Sequence, residues 1–261
     1  MVKIHILDCG TTIVDEALPL ADRSVNPFAF TGIGRGKKHK VTVPVTVYLI
    51  ECPQALILVD TGWDTAIRTD PLKYEGIVNY FASPGQLPDG KAVNEHLDRL
   101  GYCPEDVDYC ILTHLDIDHA GGLQLVKGAK HIMASNAEWS ASQRPNPRYR
   151  KKLWDGINIE TFPDKPYDLL GNGIVTLLPL HGHSAGMTGV KVKNNGKFVI
   201  ITGDSAYCRE SWEDLVLPGI VWNKDKALRS LQKVQRYARN PNCVEILATH
   251  DSQVKPHTII L

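Results

Sequence analysis

Apolar positions along the chain fall into two kinds of pattern. Short runs rich in Val, Ile and Leu, closed by Gly, Pro, Asp or Asn, predict strands. They lie at Lys3–Leu7, Thr42–Glu51, Ala55–Val59, Tyr109–Leu112, His131–Ala134, Gly173–Leu178, Gly189–Val192, Lys197–Thr202 and Val244–Ala248. Helical spacing predicts helices at Val93–Leu100, Asn136–Gln143 and Lys224–Arg239. In the last, Ala227, Leu228, Leu231, Val234 and Ala238 recur with Lys and Arg between them. The stretch from Asp15 to Lys40 carries Pro and Gly and has no period, which predicts a long loop, often a functional feature.

Two stretches of the chain resemble one another. "ALILVDTGWD" (55–64) leads to "DYCILTHLD" (108–116), and "KFVIITGDSAY" (197–207) leads to "VEILATHDS" (244–252). Each half starts with an apolar strand ending in Thr-Gly. It then passes through a helical region and reaches a second apolar strand ending in Thr-His, at similar spacing. Unless short apolar strings match by chance, this is a duplicated β…α…β unit. Such a unit predicts two sheets with polar residues gathered at their strand ends.

Those strand ends hold the chemistry. "THLDIDHAGG" (113–122) supplies His114, Asp116, Asp118 and His119, and its glycine pair is expected to turn the chain into the next segment. "LHGHSAG" adds His183, "TGDSAY" adds Asp204 and "ATHDS" adds His250. Imidazole and carboxylate are common ligands of zinc, iron and manganese. The set is too large for one tetrahedral ion and suits two ions sharing a carboxylate. Singly, each residue has a plainer reading, a hydrogen-bonding His or a capping Asp. An EF-hand calcium loop is not supported, because its third oxygen ligand and its glycine are missing.

Bulk properties narrow the setting. The 261 residues suffice for one large or two small domains with a full core, and 43% hydrophobic with 22% charged residues is ordinary for a globular protein. Formal net charge is zero, which argues against nucleic-acid binding. The short basic clusters Gly36–Lys40 and Arg148–Lys152 read as solvated loop charges. The first residues do not form a signal peptide, and no apolar run has the length of a membrane span. Six scattered cysteines with no CxxC pair suggest reduced, mostly buried thiols and a cytoplasmic location.

"THLDIDHAGG" resembles the HxHxDH signature of the metallo-β-lactamase superfamily, and the later His, Asp and His follow in that family's order over nearly the whole chain. "VPVTVYLIECPQALILVDTGW" (43–63) is similar to its N-terminal strands and DTG turn. "HGHSAG", "GDSAY" and "THD" resemble segments of the N-acyl-homoserine lactonases. The resemblance implies a single domain over 1–261 with the four-layer αββα sandwich, an α+β fold of two similar halves. It implies two divalent ions, with zinc expected. His114, Asp116 and His183 would hold the first, Asp118, His119 and His250 the second, and Asp204 would bridge them.

By the same resemblance Asp60 supports the ligands, His181 stands where the family has proline, and Asp118 and Tyr207 serve catalysis. The implied reaction is lactone opening by a metal-bridging hydroxide. Asp118 would return the proton to the leaving alkoxide and Tyr207 would steady the oxyanion. The expected partner is a small lactone or ester, with no nucleic acid or membrane, in a monomer or homodimer. Two departures stand out. Asp116 replaces the second histidine of the signature, which favours iron, manganese or cobalt relative to an all-histidine site. Met187 replaces the second histidine of the family's PGHSPGH segment. Phe28 and Phe30 are candidates to wall an acyl pocket, or else to pack within their loop. The alternatives to homoserine-lactone opening are hydrolysis of another ester, lactone, thioester or phosphoester, and di-iron redox chemistry.

Overall fold

The computed structural model describes residues 1–261. In chain order its strands are β1 (Lys3–Asp15), β2 (Lys40–Cys52), β3 (Ala55–Val59), β4 (Gly85–Gln86), β5 (Tyr109–Ile111), β6 (His131–Ser135) and β7 (Glu160–Phe162). They continue as β8 (Tyr167–Asp168), β9 (Val175–Pro179), β10 (Thr188–Asn194), β11 (Lys197–Ile201), β12 (Cys243–Leu247) and β13 (Thr258–Ile260). One sheet has the order β13-β1-β2-β3-β5-β6-β7, with β4 on β1; the other has the order β12-β11-β10-β9-β8.

The topology bears the repeat. In the first sheet β2 pairs antiparallel with β3, which pairs parallel with β5. In the second, β10 pairs antiparallel with β11, which pairs parallel with β12. Each parallel pair brings two strand ends to the same side of its sheet, as a βαβ connection requires.

Three apolar layers alternate with the backbone layers. Ile4, Ile6, Tyr48, Ile50, Ile57 and Val59 meet Leu177, Val190, Val192, Val199 and Ile201 between the sheets. Val45, Val47, Leu49 and Leu58 instead face Leu97, Leu115 and Leu123 on the outer side of the first sheet. Phe198 and Ile200 face Leu231 and Val234 on the outer side of the second. The order is therefore helix, sheet, sheet, helix. It also explains the near-continuous apolar runs of β2 and β3, whose two faces are both covered.

The helices are α1 (Pro71–Ala82), α2 (Val93–Arg99), α3 (Ile117–Ala120), α4 (Asn136–Ser142), α5 (Arg209–Glu213) and α6 (Lys224–Ala238). Asn223 caps α6 by accepting from the Lys226 N–H at 2.9 Å. Its buried stripe is Ala227, Ser230, Leu231 and Val234. Leu228 and Ala238 lie off the stripe and are exposed, while Ser230 turns inward and donates to the His181 carbonyl at 2.7 Å.

Helix α1 is absent from the sequence pattern for a physical reason. Gly76 interrupts it at φ 74°, and Leu72, Ile77, Val78 and Phe81 point outward, so no apolar stripe exists to read. The 16–39 segment is a loop with three short 3-10 turns, pinned where the buried Asp15 carboxylate accepts from Arg35 Nε at 2.7 Å. Phe28 is exposed, and Phe30 packs beside Gly219; neither reaches the cleft described below. No helix is long and apolar enough to cross a membrane.

Candidate metal centre

The loops that follow β3, β5, β11 and β12, with the loop between β9 and β10, converge between the two sheets. They bring His114, Asp116, Asp118, His119, His183, Asp204 and His250 together. Ligand atoms lie within 4.8 Å of one another in three groups: His114–Asp116–His183, His114–His119–Asp204 and Asp118–His119–His250. All four rings and Asp204 are buried.

Each histidine is oriented by an acceptor on Nδ1. His114 uses the Thr113 hydroxyl at 3.0 Å, and His119 uses Asp60 Oδ2 at 2.8 Å. His183 uses the Ile220 carbonyl at 3.0 Å, and His250 the Pro44 carbonyl at 2.7 Å. With Nδ1 carrying the proton, Nε2 is left as a lone pair facing inward. Asp204 lies at the middle. Its Oδ1 is 3.1 Å from His119 Nε2 and 3.2 Å from His250 Nε2; its Oδ2 is 3.6 Å from His183 Nε2 and 4.0 Å from His114 Nε2. Asp118 lies 3.5 Å from His250 Nε2 and Asp116 lies 3.3 Å from His114 Nε2. Tyr207 stacks on the His250 ring with centroids 4.9 Å apart.

These groups fit a cation. His114 Nε2, His119 Nε2 and Asp204 Oδ1 are buried without a hydrogen-bond partner, a costly arrangement unless an ion takes their lone pairs. Charge follows the same geometry. Burial raises the Asp204 carboxyl, but His250 and His119 outweigh it and hold the group well below the ordinary carboxylate range. Burial lowers His119, yet Asp204, Asp60 and Asp118 together raise it well above 6.5.

Asp60 and the glycine pair support the cluster from behind. Asp60 sits at φ 62° in the turn after β3, and its carboxylate accepts from the Thr113 N–H and hydroxyl as well as from His119, each at 2.8 Å. The glycines of "HAGG" do not supply a turn, since Gly121 has helical angles of φ −61° and ψ −42°. They permit close approach. A Cβ on Gly122 would lie 2.5 Å from the Thr61 carbonyl oxygen, and one on Gly121 2.8 Å from that of Gly62. His181 stands outside the cluster, 3.8 Å from Asp164, and Met187 is buried against Gly203.

Two contributors carry no signal in the sequence. Glu138 of α4 is buried; it accepts from the Leu115 N–H at 3.2 Å, the Ser184 hydroxyl at 2.7 Å and the Gly186 N–H at 2.8 Å. It thus ties the His114 loop to the His183 loop. Arg148, expected in a solvated basic cluster, is instead half-buried beside Asp116 and donates to it through Nε and Nη2. Burial opposes its charge, but Asp116 raises the guanidinium further. Glu138 lies on a helix the spacing predicts, but nothing in that spacing marks its carboxylate as turned inward, and Arg148 lies in a loop without period, so only the folded chain reveals either role.

A cleft of about 280 Å³ opens onto the centre. Val14, Leu18, Val43, Trp63 and Val78 contribute apolar wall, and Asp118, Arg148, His183, Asp204, Tyr207 and His250 line its polar part.

This fold and this ligand order agree with a match to the Metallo-beta-lactamase superfamily over residues 41–238; the chain belongs to that superfamily and is a metal-dependent hydrolase. It is 30% identical over 238 residues to an N-acyl homoserine lactonase of Bacillus cereus, covering 89% of this chain and 87% of that one. It is 28% identical over 229 residues to the N-acyl homoserine lactonase AttM of Rhizobium radiobacter, covering 84% and 86%. Its backbone is similar to that of a solved N-acyl homoserine lactone hydrolase with N-hexanoyl-L-homoserine bound at its catalytic metal center. The TM-score is 0.81 at 24% identity, over 96% of this chain and 94% of that one.

Proposed function

We propose that this chain opens lactone rings, with N-acyl-homoserine lactones as the substrate class and signal quenching as the outcome. The observation that carries the reading is the central Asp204, facing four inward Nε2 atoms at the base of a partly apolar cleft, in a chain similar to N-acyl homoserine lactonases over most of its length. The family resemblance implies one ion position at His114, Asp116 and His183 and another at Asp118, His119 and His250, with Asp204 between; the proposed metal is zinc, held at least at the second. A divalent ion held by these residues would supply a hydroxide nucleophile at neutral pH and polarise the substrate carbonyl.

The side chains do the rest. Asp118, partly exposed at the cleft, is placed to take a proton and return it to the departing alkoxide. Tyr207, held flat on His250, turns a phenol toward the same space, and burial keeps that phenol protonated as a donor. Val14, Val43 and Val78 offer apolar surface to an acyl chain.

The test is proton release across a panel of lactones, carboxyl esters and phosphodiesters, with metal analysis on the same sample. Opening of acyl-homoserine lactones is expected; failure at every chain length sinks the reading. Turnover of other esters or phosphodiesters alone would select hydrolysis of those substrates on the same site. Oxygen uptake with bound iron would select redox chemistry instead.

A further inference from the structure

We infer that the guanidinium of Arg148 takes the place of the first metal ion, so that this chain retains one ion, at the Asp118–His119–His250 position, where its family resemblance implies two. The inference rests on reading the cluster as a metal centre. Its basis is a count of lone pairs. The His183 Nδ1 proton is committed to the Ile220 carbonyl, so Nε2 is the only lone pair the ring can offer. Arg148 Nη2 donates to that lone pair. It also donates to Asp116 Oδ2 at 2.7 Å, while Nε engages Asp116 Oδ1 and Nη1 engages the His183 carbonyl at 2.8 Å. One guanidinium therefore satisfies two of the three first-position ligands. An ion bound by His183 at the usual zinc–nitrogen distance of about 2.0–2.1 Å would compete for the same lone pair.

The other position is different. Its His119 Nε2 and the shared Asp204 Oδ1 have no partner, whereas at the first position only His114 Nε2 is left open by the guanidinium. No lysine or arginine is paired with Asp118, Asp204 or His250 there. Asp116 fits the same account. A third imidazole at this place would be a neutral ligand for an ion, whereas a carboxylate makes a forked, two-bond partner for arginine. The pair is well enclosed, with side-chain exposures of 16% for Arg148 and 22% for Asp116. An ion entering the first position must displace a cation that is already bonded on both edges.

The experiment titrates chelated, folded protein with cobalt(II), following visible absorption and confirming bound metal after desalting by elemental analysis. Parent protein should saturate at about one ion per chain. Arg148→Ala should saturate at about two, and so should Asp116→His, which removes the carboxylate and adds an imidazole. If Arg148→Ala does not fold, Asp116→His carries the comparison. Two tightly held ions in the parent would overturn the inference while leaving the metal-centre reading intact. One ion in every folded variant would overturn it as well. No bound cobalt in the parent or either variant would overturn the metal-centre reading itself, and the inference with it.

Discussion

Replacing Asp60 by Asn tests whether second-layer hydrogen bonds set the ligand geometry. The side chains are nearly the same size, so packing terms drop out and only the hydrogen-bond pattern changes. In the parent, Oδ1 accepts from the Thr113 N–H, and Oδ2 accepts from the Thr113 hydroxyl and the His119 Nδ1–H. An amide turns one of these oxygens into a donor. If the NH2 falls at Oδ1, it opposes the Thr113 N–H and leaves buried donors unsatisfied, costing about 1–3 kcal/mol of folding stability. If it falls at Oδ2, it donates to His119 Nδ1 and drives the ring proton to Nε2, where it blocks the ligand lone pair.

Loss of such support typically weakens metal binding about 10–100-fold, or about 1.4–2.8 kcal/mol. Both branches can be read on one preparation. Zinc affinity is measured by competition with a chromophoric chelator, and stability by thermal unfolding of the ion-free protein. A drop in affinity of that size, or a melting point lower by about 2–10 °C, is expected. Parental affinity together with a parental melting point in Asp60→Asn would refute the reasoning.

Asp204→Ala should lower bound metal and turnover together; full occupancy with normal turnover would sink its central role. Glu95 is held down to about 2 by the paired hydrogen bonds from Arg68, with burial opposing and the Ala92 N–H assisting. A carboxyl depressed below its ordinary 4.5 stabilises the fold above that pH and loses the contribution as pH falls toward 2. After allowing for solvent screening, Glu95→Gln should cost about 1 kcal/mol at pH 7 and flatten the acid limb of a denaturation series between pH 4.5 and 2. An unchanged acid limb would count against the pair. Gly122→Ala should destabilise by about 1–3 kcal/mol, because its Cβ meets the Thr61 carbonyl; urea unfolding at parental midpoint would show that the close approach yields freely.

Most of this architecture was legible because β3, β5, β11 and β12 are mainly apolar runs, with a single Glu245 inside β12, and lead into the residues they deliver. The strand at Ala55–Val59 is found as read, and the ends of β5, β11 and β12 differ from the expected ones by at most about one residue. The repeat was legible for the same reason, since parallel pairs place "DTG" beside "THLD" and "TGD" beside "THD". What escaped notice lacks period. β1 runs on from Leu7 to Asp15 through polar residues and a register shift near Gly10, and α1 shows its apolar residues to solvent. Arg148 and Glu138 act through loop contacts fixed only after collapse. Charge alone gives no hint that Arg148 of "RYRKK" turns inward while Lys151 and Lys152 stay wet.

Glu138 has a wider consequence. Its carboxylate fastens the loop after β5, from one sheet, to the loop before β10, from the other. The two copies of the repeated unit are thereby keyed to each other at the base of the centre. The coordination sphere is then a socket rather than a clasp, shaped when the chain folds and not when an ion arrives. Removing the metal should lower stability, because it bares buried lone pairs, but should leave the socket's shape in place, so that reloading needs no refolding.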